Sequence, residues 1–405
     1  MYIDALIDRD KDTIHVVERV NGKRVFREYP ARYVFYYKDS RGKFESIFGD
    51  RLERVVTTSG KQFKKERKLY SSQKLFESDV NPVFRCLADN YLGADTPKLQ
   101  QAFFDIEVDF DPEKGFADPS DPFNPVTAIS VHLDWIGKTI CLVNKPKTLT
   151  KADAQTIVDR FEDTILLDTE DELLETFLQL IDDADVMSGW NSEGFDIPYM
   201  VNRIARVLGK EHTRRFCLWG KYPNKREFER YGKAQETYDT VGRLHLDYME
   251  LYRKYTYHEM HSYSLDAIGE YELGERKTEY QGTLDQLYNN DFETFIRYSR
   301  QDVDLLVRMD KKLQFIDLAN VIAHDNTVLV QTTMGAVAVT DQAILNEAHG
   351  RGLICPDKVH DKTQKGYPQT CTAAGAYVAT PKKGFHEWIG SMDLNSLYPS
   401  ILRSL

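Results

Sequence analysis

Three short acidic stretches hold the residue types that can do chemistry. In FFDIEVDF (103–110), an extended strand would put Phe104, Ile106, Val108 and Phe110 on one face and Asp105, Glu107 and Asp109 on the other. Such alternation also fits a half-buried strand with a solvated acidic face. Against that, two carboxylates about 4 Å apart repel by about 4 kcal/mol at an effective dielectric of 20. A D-x-E pair is tolerable in open water or with a divalent cation between the acids. In WNSEGFDIPYM (190–200), Asp196 stands where a loop enters a helix, with Pro198 in the first turn. By itself this reads as an N-cap. In YSRQDVDLL (298–306), Tyr298 and Asp302 are four apart and share a helix face. Their neighbours Phe295, Leu305 and Leu306 turn that face inward, and a buried Asp needs a partner or a metal. The plainer alternative is a Tyr–Asp hydrogen bond at the helix surface.

The surrounding pattern supplies elements to position these groups. The first hundred residues alternate apolar and polar in short runs, as in YVFYYK (33–38), and read as a β-rich module with a few helices. DTPKLQ (95–100) reads as a connector. The strand from Gln101 is followed by a Pro/Gly/Asp-rich loop, and a second strand begins at Val126. Leu173, Leu174, Phe177, Leu178 and Ile181 recur at helical spacing. A short strand, ADVMSGWN, and a helix through Met200, Ile204 and Leu208 follow. Residues 226–241 alternate on both sides of Gly232 and predict a projecting β-hairpin; the Tyr298/Asp302 helix should run from Phe292 to Leu313. Strands alternating with helices predict an α/β core over about 101–330. GAYV (375–378) begins a β segment leading to a terminal strand through Ile389, Met392, Leu394 and Leu397.

D-x-E on a strand, N-x-x-x-F-D before a helix and Y-x-x-x-D within a helix, in that order, resemble the DEDDy-type 3′–5′ proofreading exonuclease of family B DNA polymerases. SYSLDAIGEYEL (262–273), LDYMELYRKY before it, and the closing DLNSLYPSILR match as well. The resemblance covers essentially the whole chain and is strongest to replicative polymerases of tailed phages related to the T-even group. It implies an α/β, ribonuclease H-like exonuclease core with a β-rich N-terminal domain and the first strands of a polymerase palm. The expected divisions are 1–100 for the N-terminal domain, 101–330 for the exonuclease, 331–375 for a return segment packing on the N-terminal domain, and 376–405 for an incomplete palm. The implied cofactors are two divalent ions, Mg²⁺ or Mn²⁺, which suit hard oxygen ligands better than zinc does. Asp105 would bridge both ions, Glu107 and Asp302 would complete the water-activating site, and Asp196 would serve the second ion beside the departing 3′ oxygen. Tyr298 would orient the attacking water. Asn191 and Phe195 are the implied contacts with a frayed single-stranded DNA 3′ end, and the hairpin would help part primer from template.

DLNSLYPS resembles the first polymerase motif, in which Asp393 would hold metal for nucleotide addition. That reaction needs a second acidic motif, usually D-T-D, and none follows Asp393; YDTV at Tyr238 is misplaced and lacks the second Asp. The expectation is that the polymerase part lies on a separate chain, as in a split polymerase, or that the sequence is a piece of a longer one. Either way a C-terminal partner would cover the apolar terminal strand. A sliding clamp and other replisome proteins are further implied partners.

The bulk properties bound the alternatives. At 405 residues there is room for two or three domains, and 41% hydrophobic with 29% charged residues is ordinary for a soluble protein. No run is long and apolar enough for a membrane span, and MYIDALIDRD is no signal peptide, so a cytoplasmic location is expected. Five scattered cysteines read as reduced thiols. HEMH (258–261) lacks the zinc spacing. A net charge of −11 argues against coating nucleic acid by bulk electrostatics but leaves room for local basic surfaces. Lys61 to Lys68 is one candidate; Arg214, Arg215, Lys221, Lys225 and Arg226 form a looser one. Each by itself reads as a solvated surface. The competing functions are a non-catalytic nucleic-acid-binding or regulatory subunit and a stand-alone RNA exonuclease.

Overall fold

A computed structural model of the chain describes residues 1–110, 115, 117–230, 233–278, 280, 282–358, 379–394 and 396–404. They fall into two units, 1–358 and 359–405. The first opens with an antiparallel sheet of β1 (Tyr2–Asp8), β2 (Thr13–Val20) and β3 (Lys23–Pro30). Next come β4 (Tyr33–Lys38), β5 (Phe44–Ser46), β6 (Arg51–Thr57), α1 (Gly60–Leu69), β7 (Leu75–Phe76) and α2 (Pro82–Tyr91). Alternate residues Tyr2, Ile14 and Val16 pack against Val83, Leu87 and Tyr91 of α2. That helix starts where the Asn81 side chain accepts from Val83 N, with Pro82 in the first turn.

The largest sheet begins with β8 (Gln101–Val108), β9 (Val126–Leu133) and β10 (Lys138–Asn144). After α3 (Lys151–Val158) come β11 (Thr164–Leu167), α4 (Glu170–Leu180), β12 (Val186–Gly189) and α5 (Asp196–Val207). A separate ribbon, β13 (Asn224–Arg230) and β14 (Lys233–Asp239), precedes β15 (Leu244–Asp247). The strand order is β11-β10-β9-β8-β12-β15. The β8–β9–β10 meander is antiparallel, whereas β11, β12 and β15 join in parallel, as expected where helices connect strands. Helices α6 (Tyr248–Tyr255), α7 (Leu265–Leu273), α8 (Leu284–Asn290), α9 (Phe292–Leu313) and α10 (Phe315–Asp325) follow.

Each sheet face has its own core. Phe104 and Ile106 of β8 join Leu173, Phe177 and Ile181 on the α4/α5 side, with the Phe104 and Phe177 rings 5.6 Å apart. The opposite face is covered by α9, whose Phe295 and Ile296 pack with Ala128 and Val143. Helix α11 (Ala336–Gly350) and β16 (Leu353–Ile354) return the chain to the N-terminal module, where β16 pairs in parallel with β5. This completes a sheet ordered β16-β5-β6-β4-β7.

One expectation is corrected here. The terminal strand is absent among the described residues: 385–394 form no ladder, and α12 (Leu397–Ser404) is a helix in which Pro399 sits in the first turn, where its missing N–H costs nothing. The expected GAYV strand lies outside the described residues, as do Gly232 and Cys371. The four described cysteines are free and buried. HEMH falls in a loop, and among the described residues no helix is long and apolar enough to cross a membrane.

Candidate active site

Strand β8 delivers Asp105 and Glu107 to the face that α9 covers. Opposite them on β9 stand Ser130 and Ala128. These small residues, with Ser299 of α9, let the helix come close; the Ser130 and Ser299 hydroxyls are 2.9 Å apart. At that spacing Asp302 reaches the acidic pair. Asp105, Glu107 and Asp302 offer carboxylate oxygens all within 4.8 Å of one another, the single such group among the described residues. Each pair would repel by about 3 kcal/mol at an effective dielectric of 20.

Asp196 arrives from the other side of β8. The cap position of α5 is held by Phe195, and Asp196 is the first helical residue. The N-cap reading is therefore corrected: the Asp196 Oδ1 accepts from the backbone N–H of Ile106, between Asp105 and Glu107, at 3.3 Å. Asp196 is 4% exposed, so this placement rather than helix capping accounts for a buried acid there. The loop before it is tightly folded. Gly189 is required because a Cβ would stand 2.8 Å from Phe104 O and 2.9 Å from Ser192 Cβ. Asn191 takes a left-handed conformation (φ 62°), which Asn tolerates better than most residues.

The electrostatics follow from crowding acids away from water. Burial pushes the Asp105 carboxyl well above its ordinary range, and the charges of Glu107, Asp196 and Asp302 add to it. Glu107 is raised by burial and by Asp302. Burial pushes Asp196 up to about 7. Asp302 is raised by burial, with Lys277 pulling against it.

Sequence reasoning missed Lys277. Its Nζ lies 2.5 Å from Asp302 Oδ2 and 3.5 Å from Tyr298 Oη, and 5.4 Å above the Tyr298 ring. Burial works to lower its pKa, but Asp302, Asp105 and Glu107 outweigh that and raise it. KTEY follows no periodicity that would single the lysine out; the one available signal was that four converging acids, three of them buried, need a cation. Asp247 was also missed. Its carboxylate accepts from Asn191 N (3.0 Å), Glu193 N (3.1 Å) and Met249 N (3.0 Å), capping α6 and pinning the Asn191 loop together.

A crevice of about 490 Å³ opens beside the acids, lined by Asp105, Trp190, Asn191, Tyr263 and Lys277 among others. Trp190 Nε1 donates to Tyr263 O (3.0 Å), fixing its wall. Asn191 thus faces the same space as Asp105. Phe195 is half-buried and stacked on Tyr199 (5.3 Å). Asp393 lies in the other unit, is exposed, and joins no acidic group among the described residues.

The donor set fits divalent cations. It is all oxygen, its members repel unless a positive charge intervenes, and the buried Asp302 Oδ1 has no hydrogen-bond partner among the described residues. Lys277 already supplies one positive charge there.

A mixed sheet with an acid pair on a central strand, a third acid opening a helix and a fourth on a covering helix defines an exonuclease domain of the polymerase type. The chain belongs to DNA polymerase family B: residues 54–268 match the model of the DNA polymerase family B exonuclease domain, and residues 327–404 that of DNA polymerase family B. It is 31% identical over 342 residues to the DNA-directed DNA polymerase of Escherichia phage RB69, covering 79% of this chain and 37% of that one. The corresponding Enterobacteria phage T4 enzyme is 31% identical over 240 residues (59% and 26%). The DNA polymerase delta catalytic subunit of Bos taurus is 29% identical over 257 residues (58% and 22%). The chain thus spans about a fifth to two fifths of the length of these relatives.

Proposed function

We propose that this chain is a metal-dependent 3′–5′ exodeoxyribonuclease, the proofreading portion of a replicative polymerase, trimming 3′-terminal nucleotides from single-stranded or mispaired primer ends. The observation that carries this reading is the meeting of Asp105, Glu107 and Asp302 within 4.8 Å. Asp196 is bonded to the backbone between the first two. When bound, two divalent cations, Mg²⁺ or Mn²⁺, activate water and offset charge on the attacking and leaving oxygens. Asp105 is assigned to both ions, Glu107 and Asp302 to one, and Asp196 to the other. The Tyr298 phenol is kept protonated by burial and by the adjacent Asp302, Glu107 and Asp105 charges, so it orients water as a hydroxyl rather than acting as a base. Lys277 fixes the Asp302 carboxylate. Asn191, held by Asp247 at the crevice wall, and Phe195 are assigned to the incoming single strand.

The assignment of 1–100 to an N-terminal domain, 101–330 to the exonuclease, 331–375 to a return segment and 376–405 to the start of a palm belongs to the same proposal. Template-directed synthesis is proposed only together with a C-terminal polymerase part bearing a second acidic motif, to which Asp393 would add one ligand. A sliding clamp and replisome proteins are the proposed partners of that assembly.

The test is digestion of a 3′-labelled single-stranded DNA with Mg²⁺. The Asp105→Ala/Glu107→Ala variant should be slower by about 10³-fold or more, equivalent to about 4 kcal/mol of barrier. A chelator should stop the wild type. A double variant as fast as wild type sinks the site assignment. If the wild type binds the strand and leaves it intact, the chain is a binding subunit instead, and faster digestion of matched RNA would make it a ribonuclease.

A further inference from the structure

We propose that the lysine stripe of α1 is a second, sequence-independent binding site for single-stranded DNA, separate from the nuclease crevice. Lys61, Lys64, Lys65 and Lys68 follow i, i+3, i+4, i+7 and so share one helix face. All four are exposed. They span about 10 Å at the helical rise of about 1.5 Å per residue, enough to meet more than one phosphate of a strand.

Among the described residues none of the four forms an ion pair; Asp12, near Lys61, acts on it only through space. The contrast within the chain decides between a binding surface and an ordinary solvated face. Four of the five residues of the other basic candidate are paired with acids: Arg214 with Glu211, Arg215 with Glu175, Lys225 with Glu236, and Arg226 with Glu193 and Asp239. On α1 the one acid is Glu66. Lys61/Lys65 and Lys64/Lys68 are like charges at i,i+4, each costing about 0.2–0.5 kcal/mol. The helix therefore carries a charge pattern that works against its own stability and that a polyanion would relieve.

The helix bears this because it is held from below. Phe63 packs on Tyr33 (5.5 Å) and Phe35 (5.8 Å). The Asp12 carboxylate accepts from Gly60 N (3.0 Å), and a Cβ on Gly60 would crowd Asp12 Oδ1 and Tyr33 Oη at 3.1 Å. Because Phe63 is committed to the sheet, the helix does not present an apolar face for a lipid surface, which separates it from a membrane-binding amphipathic helix. At its C-terminal end Tyr70 stacks on Tyr37 (4.4 Å), a half-buried pair against which an unpaired base can lie. The charges of Asp39 and Glu53 reach the Tyr37 phenol, so the cationic surface ends there. With a net charge of −11, any polyanion held outside the nuclease crevice needs such a local surface. That the polyanion is DNA rests on the reading proposed above.

The experiment uses the whole chain with chelator, so that nothing is digested. A labelled oligothymidylate long enough to reach both sites is titrated by anisotropy over a salt series. The Lys64→Gln/Lys65→Gln/Lys68→Gln variant should show a salt slope of log K shallower by about 2, at about 0.7 per lysine. The matching Lys→Arg variant should keep the wild-type slope and melting temperature, and the Gln variant, freed of both like-charge pairs, should melt no lower than wild type. With Mg²⁺, digestion of a 3′-labelled trinucleotide should be unchanged in all three. An unchanged slope in the Gln variant overturns the proposal, as does tighter binding of oligouridylate or of anionic phospholipid vesicles than of the DNA. A wild type that digests nothing but still shows the slope difference upholds the stripe and rejects the nuclease reading.

Discussion

At the residue scale, the site is a balance between four carboxylates and one ammonium. Asp105, Glu107, Tyr298 and Asp302 were legible because strand and helix periods put each pair on a common face. Asp196 was legible only through its place in the motif order; its local chemistry pointed to a cap, and only the fold sets it against Ile106 N. Lys277 was not legible at all, since its partner Asp302 is 25 residues away. Its role gives a prediction. In Lys277→Met, Asp302 keeps its place but loses its cation, 3% exposed and facing two other acids. The metal-free variant should be less stable by about 1–3 kcal/mol, below the usual cost of breaking a buried pair because the Lys277 side chain is 27% exposed. Saturating Mg²⁺ should raise its melting temperature more than it raises the wild type's. Equal Mg²⁺ shifts in thermal melts of the two proteins would contradict the charge balance described.

At the element scale, β8 and α9 carry the acids, but the loop from β12 into α5 decides where Asn191 and Asp196 stand. That loop is tied down by Asp247 and by Ser192, whose Oγ lies 2.9 Å from His245 Nε2. Since Ser192 Oγ donates its one proton to Gly189 O (3.2 Å), a neutral ring that carries its proton on Nε2 and donates it to Ser192 Oγ best fits the pair. Burial first, and the Arg226 charge second, push His245 down to about 3. The sign follows from linkage. With the folded pKa below the unfolded value, the unfolded chain binds the proton more readily. The contribution of His245 is therefore fully present above about 6.5 and is lost as pH falls from there toward about 3. Urea unfolding between pH 7 and 5 should show a decline that is smaller in His245→Gln, and hydrogen exchange at 190–196 should speed up with acid in the wild type alone. Parallel pH profiles for both proteins would remove His245 from this role. The element pattern itself was largely readable, down to the bounds of α9, because long amphipathic helices and alternating strands announce their period. The C-terminal run was misread as a strand: its apolar residues are too few and too irregular to separate the two periods, and α12 forms from Leu397.

At the scale of the whole molecule, the N-terminal hairpins are clamped to the exonuclease sheet by a buried ion pair. Arg19 Nε donates to Asp185 Oδ2 (2.9 Å), and its Nη2 lies 2.5 Å from Oδ1. The two side chains are 4% and 0% exposed. Arg24 adds bonds to the carbonyls of Asp182 and Ala184, 2.9 Å each. Arg19→Met would leave Asp185 with Gln100 N and the more distant Arg24. It should destabilise the chain by about 3 kcal/mol, at the lower end for a broken buried pair because those partners remain. Limited proteolysis should then cut first in the β1–β3 hairpins while the β8–β15 sheet stays protected. A variant as stable and as protected as wild type would show the clamp to be dispensable.

Spacing along the chain was enough to determine which faces carry acid and which helices are amphipathic, because those properties depend on periods of two and 3.6 residues. Tertiary structure decided the rest: the close approach of α9 through Ala128, Ser130 and Ser299, the lysine among the carboxylates, the fixed loop behind Asn191, and the contrast between paired cations and the unpaired stripe of α1. Each of these depends on which side chains meet across tens to hundreds of residues. Packing settles that in three dimensions, and no local period encodes it.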